Sequence, residues 1–184
     1  GAIDKAVAAA GAAFGRIGIL INNAAIRIRK PFGDFSANDF DQVVGANLRA
    51  PFLLTQAVLP MMKAQNGGRI INIASQMGSI AEQDLALYGL SKAAMIHLTM
   101  SMAFELARHN IAVNAVSPGP PMTEYNEERT RQNPDYLAHK LSYLPTGRYS
   151  RPDEIAEAVL FLATTSATNI QGHNLIVDGG YVIH

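Results

Sequence analysis

Cysteine is absent from the 184-residue chain. That excludes disulfides, thiolate metal ligands and a cysteine nucleophile, and it fits a reducing compartment, taken here as the cytoplasm. Net charge is also missing, since Lys+Arg and Asp+Glu number 15 each. A nucleic-acid binder carries a basic excess, so nucleic acid is not an expected partner. No apolar run is long enough to span a bilayer, and no basic start followed by an apolar run marks a signal peptide. A membrane is therefore not expected as a partner. The five His are scattered without ligand spacing, so no metal site is expected. A Gly-x-Ser-x-Gly elbow is lacking, which weighs against a hydrolase. What is present is 48% hydrophobic and 16% charged, the balance of a globular chain rather than a disordered one. The length suits a single domain, residues 1–184, burying roughly 70% of its unfolded surface.

Short apolar runs alternate with helical periods. Ile3 to Phe14 is Ala-rich and helix-forming, with Gly15 as a stop. Ile19 to Ile21, Arg69 to Ile73, Ile111 to Val116 and Leu175 to Val177 read as buried strands. Ser36 caps a helix from about Ala37, whose apolar face includes Phe40, Val43 and Val44. Helical patterns follow through Phe52 to Met62, Leu87 to His109, from about Glu124, and Asp153 to Thr164. Strands spaced by helices predict a doubly wound parallel sheet, a Rossmann-like three-layer α/β/α fold. Ligands in such folds sit beyond the carboxyl ends of the strands. The residues to inspect are therefore Asn22-Asn23, Ala74-Ser75 and Ser117-Pro118-Gly119.

Tyr88 and Lys92 stand four apart in a helical pattern and share a face. A free tyrosine has a pKa of about 10, and lowering it by roughly 3 units needs about 4 kcal/mol. A neighbouring ammonium supplies part of that. The spacing alone is cheap, because Tyr136 and Lys140 repeat it. Ser75 separates the two pairs. It stands thirteen residues before Tyr88, just past a strand, whereas Thr123 precedes Tyr136 by thirteen after a proline-rich turn. Asn47 adds a polar group inside an apolar helix, where it costs propensity. Each residue also has a structural reading: Ser75 as a turn cap, Tyr88 as a half-buried core residue, Lys92 as a solvated charge, Asn47 as a kink.

Taken together these residues resemble the short-chain dehydrogenase/reductase family, from about Gly15 to the C-terminus. Asn22-Asn23-Ala24-Ala25 resembles its NNAG segment, Pro118-Gly119 its PG turn, and Val177-Asp178-Gly179-Gly180 its C-terminal VDGG. Asn47, Ser75, Tyr88 and Lys92 fall in the order and spacing of its catalytic tetrad. The resemblance implies hydride transfer between NAD or NADP and a carbonyl or alcohol carbon of a small molecule. It implies Tyr88 as general acid/base, Lys92 as the group that lowers its pKa and bonds the nicotinamide ribose, and Ser75 as the residue orienting the reacting oxygen. Asn47 would hold a water that links Lys92 to solvent. Asn23, Ala24, Pro118, Gly119 and Thr123, with Tyr88 and Lys92, are the cofactor-binding residues it implies. It also implies a homodimer or homotetramer, paired through the helices around Asn47 to Met62 and Leu87 to His109.

The chain departs from the family pattern in two places. The glycine-rich turn that receives a pyrophosphate is not among these residues, nor is the acidic or basic residue that selects NAD or NADP. The expectation is that the molecule is longer and that this is its C-terminal portion. The alternative is a truncated, non-catalytic relative acting as an interaction or scaffold module. At Pro121 the family presents a backbone N–H to the nicotinamide carboxamide, and proline has none. That contact is lost or moves to a neighbour such as Met122. Arg27, Arg29 and Lys30 form a basic cluster, read as a solvated loop or as a place for an anionic substrate group. Glu124 to Arg131 reads as a solvated helical face and, by resemblance, as a substrate lid. Gln76, Met77, Gln83 and Tyr125 are placed to line the substrate pocket.

Overall fold

The computed structural model describes residues 1–183, apart from the side chains of Tyr125, Arg129, Pro134, Tyr136 and Leu137. Helix α1 (Ala2–Phe14) leads into strand β1 (Ile19–Asn22). Helices α2 (Ala37–Val44) and α3 (Ala50–Ala64) are joined by a π-helical turn at Gly45–Arg49. Strand β2 (Gly68–Ile73), helix α4 (Ala86–Leu106) and strand β3 (Ile111–Pro118) follow. Then come α5 (Glu124–Gln132), α6 (Pro134–Leu141), α7 (Pro152–Thr164) and β4 (Asn174–Val177). The start of α2 is set as its residues require. Ser36 Oγ accepts from Asp39 N at 3.1 Å, while the Asp39 carboxylate accepts from Ser36 N at 2.8 Å, satisfying two end donors reciprocally.

The four strands pair in parallel in the order β1-β2-β3-β4. All four carboxyl ends therefore lie on one edge. Side chains alternate across β2. Ile70 packs on one face with Val58 and Met62 of α3, Ala103 and Leu106 of α4, and Val7 of α1. Ile71 packs on the other face with Leu162, Ala163 and Val159 of α7. These are the three layers expected from the alternating pattern. A strand covered on both faces has no solvated side, and Ile111 to Ser117 of β3 are all buried, Asn114 and Ser117 included.

Polar residues inside this core are paired in a ladder. Asn22 Nδ2 donates to Asn72 Oδ1 at 2.8 Å, and Asn72 Nδ2 donates to Thr99 Oγ1 at 2.9 Å. Thr99 Oγ1 donates to the Met95 carbonyl at 2.8 Å. The ladder ties β1 to β2 and β2 to the body of α4. Among the described residues no helix is long and apolar enough to cross a membrane.

Candidate active site

A cleft of about 550 Å³ opens beyond the carboxyl ends of the strands. Asn23 after β1, Ser75 and Gln76 after β2, Pro118 and Gly119 at the end of β3, and Tyr88 and Lys92 on α4 line it. The helical spacing of four brings Tyr88 and Lys92 to one wall, as expected. Lys92 is 2% exposed, so it is not the solvated charge of its structural reading. Its Nζ donates to the Ile73 carbonyl at 2.7 Å and lies 5.7 Å from the centre of the Tyr88 ring. Burial lowers the Lys92 pKa to about 8, because an ammonium loses hydration there. Ser75 does cap a turn, its Oγ accepting from Met77 N at 3.2 Å, and it also faces the cleft.

The Tyr88 phenol departs from the expected direction. Burial raises its pKa above the ordinary 10, while the Ser75 hydroxyl and the charge of Arg27 work to lower it. The lowering expected from Lys92 is not seen. Its ammonium bonds the Ile73 carbonyl, and burial makes it easier to neutralise. Tyr88 is therefore a protonated donor at neutral pH.

Asn47 lies behind the cleft and does not line it. Its side chain is 1% exposed and fully engaged. Oδ1 accepts from Ile26 N at 2.8 Å, and Nδ2 donates to Ile26 O at 2.9 Å and to Ser91 Oγ at 3.0 Å. It clamps the loop after β1 to α4, next to Tyr88, whose carbonyl accepts from Ser91 Oγ at 2.8 Å. The kink reading of Asn47 holds as well, because it sits in the π turn. The cause is legible four residues on. Pro51 has no N–H, so the Asn47 carbonyl has no α-helical partner. Such turns recur at functional sites.

Of the residues implied for the cofactor, Asn23, Pro118, Gly119 and Thr123 line the cleft with Tyr88 and Lys92, and Ala24 is exposed beside it. Gly119 is required by packing, since a Cβ there would come within 2.6 Å of Asp178 Cα. Asp178 in turn accepts from Gly180 N and Val182 N, both at 2.9 Å, which turns the chain so that Tyr181 packs with Leu144 and Tyr149. The VDGG segment thus folds one wall of the cleft. Met122 is not a substitute carboxamide donor, because its N–H goes to Ser150 O at 2.8 Å. The remaining donor set, an ammonium in a dry wall with the Thr123 hydroxyl and the Asn23 amide beside the same space, suits a riboside rich in hydroxyls.

The basic cluster is not simply a solvated loop. Arg29 Nη2 and Lys140 Nζ both meet Glu82 Oε1, at 2.6 and 2.9 Å, and Lys30 meets Asp39 at 2.7 Å. Burial acts to raise the Glu82 pKa, but the bonds from Arg29 and Lys140 outweigh it and hold the carboxyl below its ordinary range. Arg27, Arg29, Glu82 and Lys140 line the cleft, so the network joins α6 to its rim. Lys140, half of the repeated Tyr-Lys spacing, is thus a rim residue, while the side chain of Tyr136 lies outside those described. The same holds for Tyr125. Gln76 and Met77 line the cleft as expected, and Gln83 does not.

Comparison with known proteins agrees with this geometry. A family described as enoyl-(acyl carrier protein) reductase matches residues 1–182. The chain is 39% identical over 173 residues to a 3-oxoacyl-(acyl-carrier-protein) reductase of Thermotoga maritima, covering 92% of this chain and 68% of that one. It is 36% identical over 181 residues to a 2-dehydro-3-deoxy-D-gluconate 5-dehydrogenase of Escherichia coli, covering 98% and 70%. The structure superposes with a TM-score of 0.91 and 34% identity on a gluconate 5-dehydrogenase from Burkholderia cenocepacia in complex with NADP and tartrate, covering 99% of this chain and 71% of that one. The fold, the order of the motifs and these relatives agree that the chain belongs to the short-chain dehydrogenase/reductase family of NAD(P)-dependent oxidoreductases.

Proposed function

We propose that this chain interconverts a secondary alcohol and the matching ketone on a small polyhydroxylated substrate, with NAD or NADP as the hydride carrier. The observation that carries the reading is the convergence of Ser75, Tyr88 and Lys92 on one cleft at the ligand edge of a parallel sheet. When bound, the nicotinamide supplies or accepts the hydride. Tyr88 Oη gives its proton to the carbonyl oxygen in reduction and takes it back in oxidation. Its raised pKa keeps that proton in place at neutral pH. The Ser75 hydroxyl donates to the reacting oxygen and fixes its position. Lys92 keeps donors spare beyond its bond to Ile73 and holds the ribose hydroxyls, aided by Thr123 and Asn23. A water held beside Asn47 at the π turn leads protons from Lys92 to solvent. A scaffold has no use for a buried ammonium, which weighs against the non-catalytic alternative.

The polyhydroxylated class is suggested by the gluconate-type relatives. A second copy of this chain is proposed to cover the apolar groove between α3 and α4, lined by Val44, Leu48, Phe52 and Leu98. Replacing Tyr88 with Phe tests the reading. Turnover should fall by about 10²–10⁴ with NAD(P)H affinity preserved. Turnover within a few-fold of the parent would overturn the assignment.

A further inference from the structure

Gln76 directly follows Ser75, lines the same cleft and is 4% exposed. Its carboxamide oxygen is buried without a hydrogen-bond partner among the described residues. A buried amide oxygen left unpaired costs what its lost hydration was worth, and native proteins rarely leave one so. The neighbours do not supply a donor. Gly119 beside it has no side chain, a Cβ there would stand 3.0 Å from the Gln76 oxygen, and the Gly119 N–H is given to the Val177 carbonyl at 2.8 Å. Asp178, also packed against Gly119, is an acceptor whose carboxylate is already bonded to Gly180 N and Val182 N. The side chain thus forms part of the cleft wall and carries an acceptor unmet among the described residues.

Resting on the reading of Ser75 as the group that holds the reacting oxygen, we propose that Gln76 hydrogen-bonds a hydroxyl on the carbon next to the reacting one. Successive residues stand about 3.8 Å apart at Cα, so two adjacent residues read two adjacent substrate oxygens. A hydroxyl both donates and accepts, so it satisfies a carboxamide presented either way round. A 3-oxoacyl chain has no hydroxyl there and would bury the amide unsatisfied. Gln76 is in this way a specificity-determining residue for 1,2-diols and polyhydroxy chains.

The test compares 1,2-propanediol with 2-propanol, which differ by that one hydroxyl, through NAD(P)H formation by the parent, Gln76→Met and Gln76→Leu. The quantity read is the ratio of the two kcat/KM values in one sample, which does not depend on the folded fraction. The parent should favour the diol by roughly 10- to 100-fold, because a site built to bond a hydroxyl rejects the analogue lacking it. Both variants should lose at least tenfold of that ratio, chiefly on the diol. An unchanged ratio in the variants, or no diol preference in the parent, would overturn the proposal. Oxidation of neither alcohol by the parent would overturn it too, by removing the dehydrogenase reading beneath it.

Discussion

Replacing Lys92 with Met should change how stability depends on pH. Lys92 is 2% exposed, and its pKa falls from 10.5 to about 8 on folding. An ammonium with a lowered folded pKa opposes folding wherever it is charged. The opposition is complete below pH 8 and fades as pH rises toward 10.5, because the unfolded chain binds more protons in that window. At 1.36 kcal/mol per unit the whole effect is about 3 kcal/mol, of which about 2 kcal/mol is relieved between pH 7 and about 9.5. The Lys92→Met variant lacks this proton, and its lost bond to Ile73 O is a pH-independent offset. Urea unfolding at intervals from pH 7 to about 9.5 should show the parent gaining about 2 kcal/mol relative to the variant, or about 4–8 °C in Tm for a domain of this size. The window stops short of the Tyr88 titration, which burial moves upward and which would lower stability at higher pH. Parallel curves, within about 0.5 kcal/mol, would refute the account of a desolvated ammonium.

Three other outcomes follow from the packing. Asn47→Ala removes three buried or half-buried hydrogen bonds and should cost about 2–3 kcal/mol in denaturant unfolding, with a loss under about 0.5 kcal/mol counting against the clamp. Gly119→Ala drives a Cβ to 2.6 Å from the Asp178 backbone and should cost roughly 1–3 kcal/mol by calorimetry while displacing the VDGG wall, so an unshifted Tm would contradict the contact. Phe52, 42% exposed on the groove between α3 and α4, is the place to test self-association. In analytical ultracentrifugation the parent is expected to sediment as a dimer or larger species and Phe52→Asp as a monomer, and an identical sedimentation profile for the two would count against this groove as the interface.

Much of the fold and of the site follows from local rules. Residues buried on both faces make β3 largely apolar, a period near four puts Tyr88 and Lys92 on one wall, and Ser36 with Asp39 starts α2 wherever it packs. Even the π turn is local, since Pro51 withholds an N–H from Asn47. The electrostatics is not local. Whether Lys92 is solvated or 2% exposed depends on which strands and loops close over α4, and its pKa follows that burial rather than its spacing from Tyr88. The same desolvation reverses the expected shift of Tyr88. Arg29, Glu82 and Lys140 are far apart in the chain and meet only because the loop after β1 and helix α6 converge on the cleft rim. Gln76 is polar in any reading, but only the tertiary structure decides that its amide oxygen has no partner among the described residues. A residue's type and period are fixed by the chain itself, whereas its solvation is set by atoms brought from elsewhere, and solvation governs the charge states and unmet hydrogen bonds of this cleft.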